Sequence, residues 1–229
     1  MSMEIWRWFR SGSCDASWNM AVDAALLESA STWPGPVLRF YGWNQPAATF
    51  GYFQRHAEME RATTLRPLIR RPTAGGLVPH SADWTYSLLF PASHGWHGLR
   101  AEESYRKLHE WVKRAFARWT ADVELAPCCA KERPGECFAG PEKHDLVWKL
   151  RKIAGAAQRR TRDGLLIQGS IQDQPPGIDR HAWEAGLMAD ATQAWGVQWT
   201  AFQPSDAWEN TVGEIHRTRY ALDAFHRRR

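Results

Sequence analysis

Hydrophobic positions change their period several times along the chain, and each change marks an element. After Asp15-Ala16-Ser17, residues 18–30 place Trp18, Ala21, Val22, Ala25 and Leu26 on one face, the spacing of a capped amphipathic helix. Pro34-Gly35-Pro36 breaks that pattern, and residues 37–43 and 47–53 follow as two short strands joined by a turn at Asn44-Gln45-Pro46. Residues 67–71 read as a strand leading into Thr73-Ala74-Gly75-Gly76, and residues 83–90 alternate as another. From 102 to 119 the helical period returns, with Tyr105, Leu108, Val112, Ala115, Phe116 and Trp119 in phase. Residues 127–143 are rich in Pro, Gly, Cys and charge and predict a loop. Three strand-like runs at 145–148, 152–159 and 164–171 end at Gln174-Pro175-Pro176-Gly177. Beyond about residue 180 the pattern predicts mainly helix, closing with a helix near 207–225.

Strands and helices mix here without strict βαβ alternation, which predicts an α+β fold with a mixed, largely antiparallel sheet flanked by helices. With no repeat and no linker, the 229 residues are expected to form a single domain over 1–229, its motifs within 15–172 and a mainly helical part over about 180–226. Hydrophobic residues make up 44% of the chain and charged ones 24%, enough apolar material for a sizeable core. The 14 tryptophans are dispersed, as core and surface anchors would be.

The net charge of +4 changes the picture little, because part of it is the terminal His226-Arg227-Arg228-Arg229. It lacks the aromatic-interleaved basic stripe of a nucleic-acid binder, so no nucleic acid is expected, and it suits an acidic protein partner or an anionic cofactor. No apolar run reaches the ~18 residues of a membrane span. Residues 1–12 lack the apolar stretch of a signal peptide. Four cysteines (Cys14, Cys128, Cys129, Cys137) are too few for a disulfide scaffold at this length, so the expected setting is reducing cytoplasm.

Three stretches carry candidate chemistry. In Arg70-Arg71-Pro72-Thr73-Ala74-Gly75-Gly76-Leu77-Val78-Pro79-His80, glycines after a strand allow close backbone approach, and paired arginines suit a phosphate or carboxylate. The same pattern also describes a glycine turn with solvated arginines. In Arg151-Lys152-Ile153-Ala154-Gly155-Ala156-Ala157-Gln158-Arg159, a lysine opens a small-residue strand and could hold a carbonyl or phosphate oxygen as charge develops; alone it reads equally as a surface lysine. In Gly135-Glu136-Cys137-Phe138, a loop cysteine near a cation would be a usable nucleophile, or simply a small inert residue. Cys128, Cys129, Cys137 and His144 do not match zinc-ligand spacing, so no metal is expected. The histidines form no Ser/His/Asp pattern, and His80 is the one placed beside a candidate loop.

Taken together these segments resemble the lipoate–protein ligase and octanoyltransferase family, a branch of the biotin/lipoate ligase fold. Residues 39–54 are similar to the family's opening hairpin, 70–87 to its arginine–glycine–histidine motif and 145–171 to the segment with its lysine. The resemblance covers most of 15–172; position 74, usually glycine in the family, is Ala74. It implies that Lys152 contacts the acyl carbonyl and any activating phosphate. By the same resemblance Arg70, Arg71, Thr73, Gly75, Gly76, His80, Gly155 and Gln158 are candidate substrate-binding residues around an apolar tunnel. Cys137, in a Cys-Phe-x-x-Pro context, sits where one branch of transferases places its nucleophile.

Two activities follow from the resemblance. A transferase takes octanoyl or lipoyl from an acyl carrier protein or lipoyl-domain donor, holds it on Cys137 and passes it to the lysine of a lipoyl-domain acceptor. A ligase activates free lipoate with ATP and Mg, in many cases with an accessory domain or separate accessory protein. The cysteine, and a chain with no visible accessory domain, make transfer the expectation. A DNA-binding module on the related biotin-ligase fold would need a helix-turn-helix segment, and none is evident before residue 15.

Overall fold

The apolar runs in the middle of the chain become the centre of one large sheet. The computed structural model describes residues 3–129 and 140–228. Among them the strands are β1 (Glu4–Cys14), β2 (Val37–Trp43), β3 (Ala47–Phe50), β4 (Leu68–Arg70), β5 (Val78–His80), β6 (Trp84–Pro91), β7 (Val123–Leu125), β8 (Leu146–Trp148), β9 (Arg151–Arg160), β10 (Gly164–Ile171) and β11 (Val197–Ala201). The helices are α1 (Ala16–Glu28), α2 (His56–Ala62), α3 (Ala101–Phe116), α4 (Arg180–Trp195), α5 (Asp206–Ile215) and α6 (Asp223–Arg227). Among the described residues the main sheet runs β11-β1-β2-β6-β10-β9-β8-β7 and a small sheet runs β4-β3-β5. β1 pairs in parallel with β11 and β2, and the other neighbours of the main sheet pair antiparallel. This is the expected single-domain α+β arrangement, a mixed and largely antiparallel sheet flanked by helices.

Period-two alternation assigns the two faces. Leu88, Phe90, Leu165 and Ile167 pack with Trp111 and Phe116 of α3 and Trp183 and Leu187 of α4. Their neighbours Leu89 and Leu166 turn the other way, onto Ala21, Leu26 and Val212 of α1 and α5. Because β6 and β10 are buried along their whole length, they read as apolar runs, the mark of strands covered on both sides. Trp6 is 1% exposed and meets Trp111, Trp195 and Trp199 at ring-centroid distances of 5.6–5.9 Å, so part of the tryptophan excess is core.

The structure corrects several local expectations. Residues 19–27 of α1 are all buried, so the helix is wrapped on every side and not amphipathic. Asp15 holds the N-cap position without capping; its carboxylate accepts instead from Asn44 Nδ2 at 2.7 Å. β2 and β3 do not form the expected hairpin. β2 pairs with β1 and β6 in the main sheet, and β3 with β4 and β5 in the small one. β1 and β11 are strands where none was expected, and β11 interrupts the helical C-terminal part; β1 runs in parallel between β2 and β11, and β11 pairs with β1 at the end of the sheet. Among the described residues no helix is long and apolar enough to cross a membrane.

Candidate active site

At the start of β9, Lys152 is folded back toward its own strand. Its Nζ lies 2.7 Å from Asp145 Oδ2, and the two side chains are 5% and 0% exposed. Asp145 also accepts from Tyr105 Oη and from the Glu142 N–H at 2.6 Å, while Tyr105 Oη accepts from the Ala156 N–H at 3.2 Å. A buried carboxylate with this many donors around it meets the condition under which a buried ion pair is tolerable. Gly155 makes the fold-back possible: a Cβ there would stand 2.9 Å from both Cε and Nζ of Lys152.

The lysine faces a cavity with an empty volume of about 450 Å³. Among the described residues Met20, Tyr41, Val78, Ala156 and Ala157 give it apolar walls, and Thr49, Arg71, His80, Gln168, Ser170 and Lys152 its polar points. The small residues of β9 do what their size allows, leaving the strand backbone open to the cavity.

His80 is locked on three sides. Trp43 stacks on it at 3.8 Å between ring centroids, Thr49 Oγ1 lies 2.8 Å from Nε2, and Nδ1 lies 2.8 Å from Asp83 Oδ2. An Nδ1–H that donates to the carboxylate leaves Nε2 to accept from the threonine. Burial pushes the Asp83 carboxyl up, but the His80 imidazole and donors from Ser170 and Thr85 outweigh it and hold the group below its ordinary range.

A second network ties the glycine turn to the core. Thr73 Oγ1 donates to Gln168 Oε1 at 2.6 Å, and Gln168 Nε2 donates to Asp23 Oδ2 at 2.6 Å. Asp23 pairs with the fully buried Arg39 at 2.7 Å. Arg71 reaches the Ala74 carbonyl through Nη2 at 2.5 Å, so its guanidinium braces the turn.

The candidate residues are therefore divided. Lys152, Gly155, His80 and Arg71 line the cavity, and Thr73 stands directly behind it on Gln168. Gly75, at φ +87°, lets the turn pass so close to Gly51 that a Cβ on Gly51 would overlap the Gly75 carbonyl. Gly76 is buried in the same turn. Arg70 is 0% exposed and donates to the carbonyls of Tyr52, Gln54 and His226, each at 2.7 Å, fastening α6 to the loop after β3. Gln158 faces α3, accepting from Ser104 Oγ and donating to the Ala101 carbonyl. Both arginines are buried, against the reading of a turn with solvated arginines. Cys137 lies outside the described residues. Asp145, Tyr105, Asp83, Trp43, Gln168 and Asp23 were not foreseen. Only Asp83, three positions after His80, had a spacing that could have marked it.

A family model described as the lipoyl protein ligase A/B catalytic domain matches residues 15–172. The octanoyltransferase LipM of Geobacillus kaustophilus is 36% identical over 185 residues, 75% of this chain and 66% of its own length. That of Bacillus subtilis is 35% identical with the same coverage. The chain thus spans slightly under two thirds, 66%, of the length of these relatives. Among solved structures, a lipoate-protein ligase A bound with ATP superposes with a TM-score of 0.79 at 16% identity, covering 99% of each chain. A bipartite lipoate protein ligase from Thermoplasma acidophilum, described with its E2 lipoyl domain, gives 0.72 at 15% identity over 99% of this chain and 96% of its own. At these identities the structures establish a shared fold.

Proposed function

The chain belongs to the lipoyl protein ligase A/B catalytic domain family, and from that premise we propose that it moves an octanoyl or lipoyl group from a carrier's thioester to a lysine of a lipoyl-domain acceptor protein. The observation that carries this reading is the buried Lys152–Asp145 pair at 2.7 Å, set beside an apolar cavity floored by Gly155, Ala156 and Ala157. An ammonium fixed by its ion pair against apolar walls suits a ligand with an aliphatic chain and a carbonyl. The likeness to octanoyltransferases LipM at 33–36% identity favours transfer over ligation.

In the proposed sequence the Cys137 thiol gives up its proton as its sulfur attacks the acyl thioester, a tetrahedral intermediate forms, and the carrier thiolate leaves and takes up that proton as the acyl–Cys137 bond is completed. The neutral amine of the acceptor lysine then attacks that thioester, the amide forms, the Cys137 thiolate is expelled, and the surplus amine proton returns to it. Lys152 stabilises the oxyanion of both intermediates, and being ion-paired beforehand it needs no reorganisation as charge develops. Asp145 positions Lys152, and Asp83 positions His80 at the cavity wall. A free thiol nucleophile suits reducing cytoplasm, and a thioester donor already carries the activation that a ligase draws from ATP and Mg.

Intact-mass measurement after mixing the enzyme with octanoyl carrier protein should show one added octanoyl group, absent from Cys137→Ala. No adduct, or one that survives the substitution, would remove the covalent step. AMP release from ATP and free lipoate would instead mark a ligase.

A further inference from the structure

The ladder between β8 and β9 ends at the pair Leu146 and Ala154, and beyond it the edge of β9 is met by a helix. The Ala156 N–H donates to Tyr105 Oη of α3 at 3.2 Å. The preceding residue of α3, Ser104, donates to Gln158 Oε1 at 2.9 Å, and Gln158 Nε2 donates to the Ala101 carbonyl at 2.7 Å. The N-terminal turns of α3 thus take over where β8 stops. Asp145, the residue just ahead of β8, stands at the changeover.

Tyr105 bonds both sides of that junction. A backbone N–H only donates, so the phenol oxygen accepts from Ala156 and its own proton goes to Asp145 Oδ1. The ring is backed by the buried His109, at 4.3 Å between centroids. Asp145 needs such a partner. Rotation about the Cβ–Cγ bond of an aspartate is broad and roughly two-fold, so the plane of the carboxylate is set by whatever bonds its oxygens. Oδ2 meets Lys152 Nζ at 2.7 Å and the Glu142 N–H at 2.6 Å, and Oδ1 is held by the Tyr105 hydroxyl. Without that hydroxyl one end of the carboxylate is loose, and the ammonium paired to it shifts with it.

We propose that Tyr105 is a positioning residue for acyl transfer: its hydroxyl sets the plane of the Asp145 carboxylate and, through it, the point in the acyl cavity at which Lys152 offers its ammonium. Tyr105 itself stands outside the lining of that cavity, so it acts through the other two. This role rests on the thioester-transfer reading above.

The test uses the full chain, with octanoyl carrier protein as donor and a lipoyl domain as acceptor. Tyr105→Phe keeps the ring against His109 and removes the oxygen alone. It should lower kcat about tenfold or more, as expected for the loss of one hydrogen bond to a charged group. KM for either protein should change less than about twofold. In a Lys152→Ala background the same substitution should alter the residual rate less than about twofold. Acetic anhydride, with the modified peptides read by mass, should label Lys152 several-fold faster in Tyr105→Phe than in the unaltered protein. Should Tyr105→Phe fail to fold, Tyr105→Met is measured in its place. Normal kcat, a loss confined to KM, an equal loss in both backgrounds, or unchanged labelling of Lys152 each overturns the positioning role while transfer stands. If the unaltered protein transfers no octanoyl group, the transfer reading fails by itself, and the labelling rates still decide whether Tyr105 holds Lys152.

Discussion

Adding one methyl group at Gly155 separates the position of Lys152 from its presence. The new Cβ would stand 2.9 Å from Cε and Nζ of the lysine and 3.2 Å from Asp145 Oδ1, where ordinary contact begins at 3.4 Å. The ammonium must therefore retreat by about 0.5–1 Å, and a displacement of ~1 Å at a reacting group costs about a hundredfold in rate, or ~2.7 kcal/mol. Stability should move far less. Overpacking costs at least ~1 kcal/mol, but replacing glycine within a strand returns ~0.5–1 kcal/mol, and the lysine end is flexible. Gly155→Ala should thus melt within a few degrees of the unaltered protein and transfer octanoyl about a hundredfold more slowly in single turnover. In a Lys152→Ala background the same methyl meets no ammonium, and the residual rate should change less than twofold. A drop of equal size in both backgrounds, or near-normal transfer by Gly155→Ala alone, would refute the idea that glycine is there to seat the lysine.

Asp145→Asn removes the charge partner of a lysine whose side chain is 5% exposed and should cost ~3–5 kcal/mol in a urea melt, together with most of the transfer rate. Burial lowers the His109 imidazole to about 4, against ~6.5 unfolded, so its contribution is complete above ~6.5 and fades as pH falls toward about 4. Its full size is ~3.4 kcal/mol at ~1.36 kcal/mol per unit; His109→Gln should flatten the loss between urea melts at neutral and acid pH, and an unchanged slope would mean another group titrates. The depressed Asp83 carboxyl adds loss only below ~3.9, and Asp83→Asn should weaken transfer by freeing His80, with partial recovery in Asp83→Glu. Leu150 is 96% exposed at φ +65°, a conformation costing ~1–2 kcal/mol for a non-glycine residue, so Leu150→Gly should raise the melting temperature without slowing transfer.

Periodicity marked the elements that supply their own signal. The apolar runs of β6 and β10 and the 3.6-residue spacing of α3 are local properties, readable before any partner is known. The lysine in its small-residue strand and the arginine–glycine turn were legible for the same reason. β1 and β11 were not, since their ladders are parallel pairings with strands distant in the chain, and a strand without a local turn partner leaves no signature. The tight connection at Lys149 and Leu150, both at positive φ, was also hidden, because neither residue is one that favours that conformation. Nor could the direction of a side chain be read. Arg70 and Arg71 are adjacent in one motif, yet one fastens α6 and the other braces the cavity wall.

The sequence by itself determined that a lysine opens a strand with room above it, because residue size and order are local facts. Only the tertiary structure decided that the room is filled by that lysine's own ammonium, that Asp145, just ahead of the neighbouring strand β8, holds it, and that Thr49 of β3 and Asp83, just ahead of β6, fix His80. Buried charge is tolerated where partners converge from distant parts of the chain, and convergence exists only once the sheet has formed.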